Sequence, residues 1–332
     1  QLGMSTAQTG WTKAAPTMTA ADGYSLVPPR ITKTLDPATT TIAEVLREAG
    51  YATAHYGKWH LDGGGPGQHG YDDDDGNNGN EYAHRFTDPN PADIFGMARR
   101  TAAFMEKSKQ AGKPFFIQMS WHALHASQNA LRATVAKYKN RGRFRNEKSL
   151  RVAAISEDLD TGAGMVMDAV DRLGLSDNTY IIYMSDNGGG GGKRDQLNGG
   201  KGSVWEGGIR SPLIVRGPGV AANSWCHTPV VGFDFFPTFC EWAQVSTQKL
   251  PENLEGGSIA SILANDGQGV VKRPRDELVF HFPHYQSPDG PHSALILGDL
   301  KLMKFYEGDR LALFDLSRDI QERSDLSRER PR

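Results

Sequence analysis

Apolar residues recur along this chain with two different periods, and the switch between them marks its organisation. Residues 40–49, TTIAEVLREA, carry them at helical spacing, with Thr40 or Thr41 as N-cap, Glu44 positioned for a capping box and Gly50 as the closing residue. The same spacing predicts helices over 93–110, over 148–174 with Gly174 as its cap, and from DFFPTFCEWA onward. Between them lie short runs of strand-forming residues: YATAHYG, PFFIQMSW ending in HALH, TYIIYM from Thr179 to Met184, and SPLIVRGPG. PFFIQMSW and TYIIYM are apolar almost throughout, which predicts buried strands. The alternation of strands with helices predicts an α/β fold, a mostly parallel sheet sandwiched by helices.

From about Pro274 the texture changes. ELVFHF, HSALILG, LKLMKFYE and LALFDLS are short strands separated by turn residues at hairpin distances, which predicts a small antiparallel sheet. The expected division is therefore a large α/β domain over 1–273 and a C-terminal antiparallel-sheet subdomain over 274–332. Residues 62–80 are rich in Gly, Asp and Asn and read as a loop, with YDDDDGNNGN as a solvated acidic turn.

The bulk numbers narrow the function classes. The 332 residues carry a net charge of −2 and a pI near 6.6, so the whole-chain balance makes no case for nucleic acid or a membrane surface. No apolar run approaches the ~18 residues of a membrane span. Cys226 and Cys240 are too few for a disulfide scaffold or a zinc site and read as two small buried hydrophobes.

Three polar clusters follow predicted strands, where parallel α/β sheets collect ligands: Lys58 with His60, His122 with His125, and Asp186 with Asn187. Lys201 lies in the glycine-rich stretch after the third. Each has an ordinary reading: a turn for Asp186-Asn187-Gly188, a surface lysine beside packed rings for Lys58, structural histidines for His122 and His125, a solvated lysine for Lys201. Together they describe an anion pocket beside a hard cation, since ammonium groups suit a compact tetrahedral anion and carboxylate and amide oxygens suit Ca²⁺ or Mg²⁺. Rival motifs fail. Before Gly192-Lys193 the P-loop's first glycine position holds Asn187, and Arg194 stands where Ser or Thr is required. GPGQHG contains a proline and leads into YDDDDGNNGN instead of a helix, and that acidic run has Tyr71 and Tyr82 at the end positions of an EF-hand loop.

LREAGYATAHYGKWHL, SDNGG, GGKGSVWEGGIRSPLIVRGPG, GFDFFPTF and the C-terminal LKLMKFYEGDRLALFDLSRDIQERSDLS, in this order from about residue 40, resemble the motifs of the type I sulfatases of the alkaline phosphatase superfamily. The resemblance implies a calcium-dependent sulfuric ester hydrolase with a formylglycine nucleophile. It implies Asp186 and Asn187 as ligands of one Ca²⁺, Lys58 and Lys201 on the sulfate oxygens, His60 assisting the formylglycine hydrate and His125 protonating the leaving group. The family usually has proline where this chain has Leu124, which makes His122 the second candidate for the His125 role. The family's [CS]-x-P-x-R nucleophile signature is absent: Cys226 is followed by HTPV and Cys240 by EWAQ. QLGMSTAQTG resembles the segment after that signature, so the resemblance implies a chain without its nucleophile, inactive as written. Further implications are a polysaccharide or small-molecule sulfate ester as substrate, a formylglycine-generating or anaerobic maturase as partner, and a periplasmic or secreted location. The alternatives left open are a phosphatase or phosphonate monoester hydrolase of the superfamily, and a non-catalytic anion- or glycan-binding relative.

Overall fold

The computed structural model describes residues 1–13, 23–125, 128–189 and 196–329. Gly190–Lys193 of the predicted glycine loop, with Arg194, and Ala126 and Ser127 after HALH lie outside the described residues. The helices are α1 (Thr6–Thr9), α2 (Ile42–Glu48), α3 (Ile94–Gln110), α4 (Arg132–Arg141), α5 (Glu147–Arg172), α6 (Glu206–Ile209), α7 (Phe235–Trp242) and α8 (Ala260–Leu263). The strands are β1 (Ala52–Gly57), β2 (Asp73–Asp74), β3 (Phe115–Ser120), β4 (Ile181–Met184), β5 (Leu213–Arg216), β6 (Leu278–Phe282), β7 (His292–Leu297), β8 (Leu300–Phe305) and β9 (Arg310–Asp315). The chain forms two compact units: Gln1–Leu2, Thr34–Thr179 and Phe239–Pro251 in one, Gly3–Lys33, Tyr180–Thr238 and Glu252–Arg332 in the other.

The first unit is built on a parallel sheet of order β2-β1-β3. Period-two alternation sends Ala54, Tyr56, Phe115, Ile117 and Met119 to one face, where Met97 and Phe104 of α3 cover them. Phe116 faces the other way, against Tyr71 and against Phe239 of α7. Ala43 of α2 packs with Trp59 and Tyr71 in the same cluster as Phe116, so helices flank the sheet on both faces. α2 starts as predicted: Thr41 accepts from the Glu44 N–H, and the Glu44 carboxylate accepts from the Thr41 N–H. α5 crosses α3 at Gly162, where a Cβ would lie 2.5 Å from Ile94 Cγ2.

The second unit holds an antiparallel β4–β5 pair and the four-stranded antiparallel meander β6-β7-β8-β9. The meander packs Ala294, Met303, Phe305, Ala312 and Phe314 against Val204 and Trp205. One charge breaks that apolar face. Lys301, wholly buried, reaches Glu206 at 2.9 Å and Glu322 at 2.7 Å, and both carboxylates are themselves buried.

Several expectations are corrected. β4 is not a buried strand: Tyr183 and Met184 are 41% and 43% exposed, because a two-stranded ribbon covers few of its own side chains. β3 is half-buried along its length. α4 was not expected, since it buries only Thr134 and so shows no apolar stripe. Cys226 is exposed and only Cys240 is buried. The acidic run is solvated at Asp72 and Asp73, as expected, but is not a plain turn: Asp73 and Asp74 form an edge strand parallel to β1, in register with Ala54 and His55. No helix among the described residues is long and apolar enough to cross a membrane.

Candidate functional site

The candidate residues fall into two groups, one in each unit. In the first, β1 and β3 end side by side with Gly57 opposite Ser120, and the Lys58 N–H donates to the Ser120 carbonyl at 2.8 Å. Gly57 must be glycine: its φ is 93°, and a Cβ would fall 2.2 Å from the Ser120 oxygen. Lys58 and His60 follow β1 while His122 and His125 follow β3, so the structure brings both pairs to the carboxyl ends of neighbouring parallel strands.

The stretch read as a solvated turn braces this end. Asp75 accepts from the Gly57 N–H at 2.7 Å and pairs with Arg100, which also binds Asp93. Asn78 donates to the Gly57 carbonyl and accepts from the Trp59 N–H, and its own carbonyl accepts from the His60 N–H at 2.9 Å. Asp75 and Asn78 are thus positioning residues that sequence reasoning missed. The available signal was the demand itself, since a turn ending a buried strand must find acceptors for its N–H groups.

Burial chiefly, and then the Lys58 ammonium, hold the His60 imidazole below its ordinary pKa, with Glu81 opposing. His122 is 2% exposed, and neither ring nitrogen has a hydrogen-bond partner among the described residues. Its ring lies 5.5 Å from that of Tyr82. Burial lowers its pKa against the opposing pull of Asp93 and Asp75, and Lys58 and Arg100 lower it further. His125 is exposed, directly after Leu124 in the left-handed region at φ 69°, which proline could not adopt.

In the second unit, Ser185, Asp186 and Asn187 follow β4, Asp186 exposed and Asn187 half-buried. The Ser185 hydroxyl donates to the Asn187 carbonyl at 3.0 Å. The chain then presses backbone on backbone. The Gly188 N–H donates to the Gly208 carbonyl, and a Cβ on Gly188 would meet the Gly207 oxygen at 2.2 Å. A Cβ on Gly208 would lie 2.5 Å from the Gly200 oxygen. Glycine is therefore required where the Asp186–Asn187 turn and the loop carrying exposed Lys201 both bear on Gly207–Gly208. Just beyond, Glu206 anchors this segment to Lys301 and Glu322.

Asp186 and Asn187 match a hard cation in kind, one carboxylate and one amide oxygen, but fall short of the ~6–8 oxygens calcium takes. Among the described residues no group of three or more His, Cys, Asp or Glu is arranged to hold a metal ion.

Comparison with known proteins identifies the family. Residues 9–245 match the family model described as Sulfatase, and residues 200–331 match that of the N-sulphoglucosamine sulphohydrolase C-terminal region. A sulfatase of Formosa agariphila is 31% identical over 285 residues, covering 77% of this chain and 49% of that protein. Human arylsulfatase A is 28% identical over 315 residues, covering 81% and 59%. The chain thus spans about half the length of the curated relatives it matches. The crystal structure of Ps i-CgsB in complex with k-i-k-neocarrahexaose superposes with a TM-score of 0.78 at 22% identity, covering 99% of this chain and 76% of that one, and so shares its fold. With the family model matched across most of its length, this chain belongs to the sulfatase family.

Proposed function

We propose that the protein hydrolyses sulfate monoesters of sulfated carbohydrates. The observation that carries this reading is the placing of Lys58, His60, His122 and His125 at the carboxyl ends of two paired parallel strands, in a chain of the sulfatase family. Lys58 offers a point charge for equatorial sulfate oxygens, and Lys201 a second one. His60, held toward its neutral form, is suited to take a proton near neutral pH. Exposed His125 is assigned to protonate the leaving oxygen, with His122 as the second candidate. Asp186 and Asn187 would contribute ligands to a calcium ion, whose charge would stabilise the sulfate group. The nucleophile is assigned to a formylglycine outside these 332 residues, made by a formylglycine-generating or anaerobic maturase. The carbohydrate preference is supported by the N-sulphoglucosamine sulphohydrolase match and by the neocarrahexaose complex of a structural neighbour. The assigned compartment is the periplasm or the exterior.

The test is sulfate release from a sulfated oligosaccharide and an aryl sulfate. A longer form carrying a [CS]-x-P-x-R signature should turn over, and the 332-residue chain should not. Lys58→Ala or Lys201→Ala should each lower turnover of the longer form by ~10²–10³, the cost of one preorganised charge contact. Hydrolysis by the 332-residue chain would overturn the nucleophile assignment. A longer form without turnover would overturn the function.

A further inference from the structure

The whole-chain charge of −2 conceals a strongly basic region. Residues 132–148 hold Arg132, Lys137, Lys139, Arg141, Arg143, Arg145 and Lys148 against the single acid Glu147. Two of these cations are engaged: Arg132 reaches Asp88 at 3.7 Å, and Lys137 binds Glu157 at 2.6 Å. Lys139, Arg141, Arg143 and Arg145 are exposed and make no ion pair among the described residues.

The dipole of α4 accounts for part of this. Lys139 and Arg141 stand in its last turn, where positive charge is favourable. Arg143 and Arg145 lie past the helix end, in the short link to α5, where that explanation stops. Arg141 and Arg143 are also organised. Tyr138, Arg141, Gly142, Arg143 and Phe144 line an open concavity of about 420 Å³. The Arg141 guanidinium lies 5.1 Å from the Tyr138 ring centre, and the Tyr138 and Phe144 rings meet edge to face at 5.6 Å. Two half-buried rings and two exposed guanidinium groups so line one open groove.

We propose that this groove at the end of α4 is a second binding surface, which holds a stretch of sulfated polysaccharide outside the reacting centre. The chemistry of the groove suits that ligand. Guanidinium forks match the paired oxygens of a sulfate group, and aromatic faces accept the apolar face of a sugar ring. The whole-chain charge of −2 gives no long-range attraction for any polyanion, so contact is confined to this local patch, and membership of the sulfatase family favours a sulfate ester over a phosphodiester there. The identity of the polyanion rests on the sulfatase reading. The basic groove itself does not.

The experiment measures binding of fluorescein-labelled dextran sulfate to the 332-residue chain at low and physiological salt, with neutral dextran and a single-stranded DNA oligonucleotide as comparison probes. Dextran sulfate should bind and neutral dextran should not, and the affinity should fall as salt rises. The triple variant R141Q/R143Q/R145Q should bind dextran sulfate at least ten-fold more weakly while still unfolding cooperatively, its thermal midpoint lowered only by the lost helix-end charge and ring contact of Arg141. R141K/R143K/R145K should recover part of the loss, since charge returns without the fork. K58A/K201A, which removes only the proposed sulfate contacts of the reacting centre, should weaken binding less than the glutamine triple variant does. Binding lost in K58A/K201A but kept in the glutamine triple variant would overturn the groove, as would DNA binding as tight as dextran sulfate. A longer form that releases no sulfate, in a protein whose groove still binds dextran sulfate, would defeat the functional reading and leave the groove standing.

Discussion

Replacing Lys301 by methionine tests the charge buried under the C-terminal sheet. The side chain is fully buried between Glu206 and Glu322, whose side chains are 3% and 0% exposed. Methionine keeps the volume and removes the charge. Glu206 retains Arg210 at 2.8 Å, but Glu322 is left with the Glu206 N–H as its hydrogen-bonding partner among the described residues. Stripping one partner from a buried ion cluster costs ~3–5 kcal/mol, because a charge stays in the interior uncompensated. Burial already raises the Glu322 pKa, and Lys301 opposes that rise. Without Lys301 it rises further. A carboxyl whose folded pKa lies above its unfolded value binds more protons when folded, so its contribution to stability is full at low pH and is lost as pH rises through the folded pKa. Lys301→Met should therefore be most destabilised near neutral pH and recover toward pH 5. The double variant Lys301→Met/Glu322→Gln should regain much of the loss at neutral pH, which a double-mutant cycle isolates. Urea unfolding followed by tryptophan fluorescence gives the midpoints at several pH values. A loss under ~1 kcal/mol at pH 7.5, or a double variant no more stable than the single, would refute the reasoning.

Two further outcomes follow from the first unit. His55 is 1% exposed on β1, and burial chiefly drives its pKa to about 3, so the folded state refuses a proton that the unfolded chain accepts below pH 6.5. Its contribution is whole above pH 6.5 and is lost as pH falls toward 3, by up to ~4–5 kcal/mol at 1.36 kcal/mol per unit; His55→Leu should flatten the fall of the urea midpoint between pH 6.5 and 4, and an unchanged slope would count against it. Asn78→Ala removes the amide from the Gly57 carbonyl and the Trp59 N–H and should cost ~1–3 kcal/mol. In the longer form it should also lower sulfate release while leaving Lys58 and His60 in place chemically, and a variant as stable and as active as the parent would show that the brace does not matter.

Local grammar carried a good share of the structure. The capping box at Thr41 and Glu44, the strand ending in Gly57, and the four short C-terminal strands are each set by neighbours a few residues away, and each stands where the pattern put it. The same holds for Lys58 and His60, which must follow whatever strand YATAHYG forms. α4 escaped notice because an exposed helix needs no apolar stripe.

What the sequence determined by itself was the kind of element, the order of elements and the residue types at strand ends, because these depend on short-range periodicity and capping. Only the tertiary structure decided that β4 pairs antiparallel with β5 and stays half open, and that a four-aspartate run lies beside β1 and braces its end. It likewise decided that Lys301 is interior and Cys226 exterior. The physical reason is common to all of them. Burial and pairing are set by segments distant in the chain, and a charged residue can go inside once a remote partner of opposite sign meets it there.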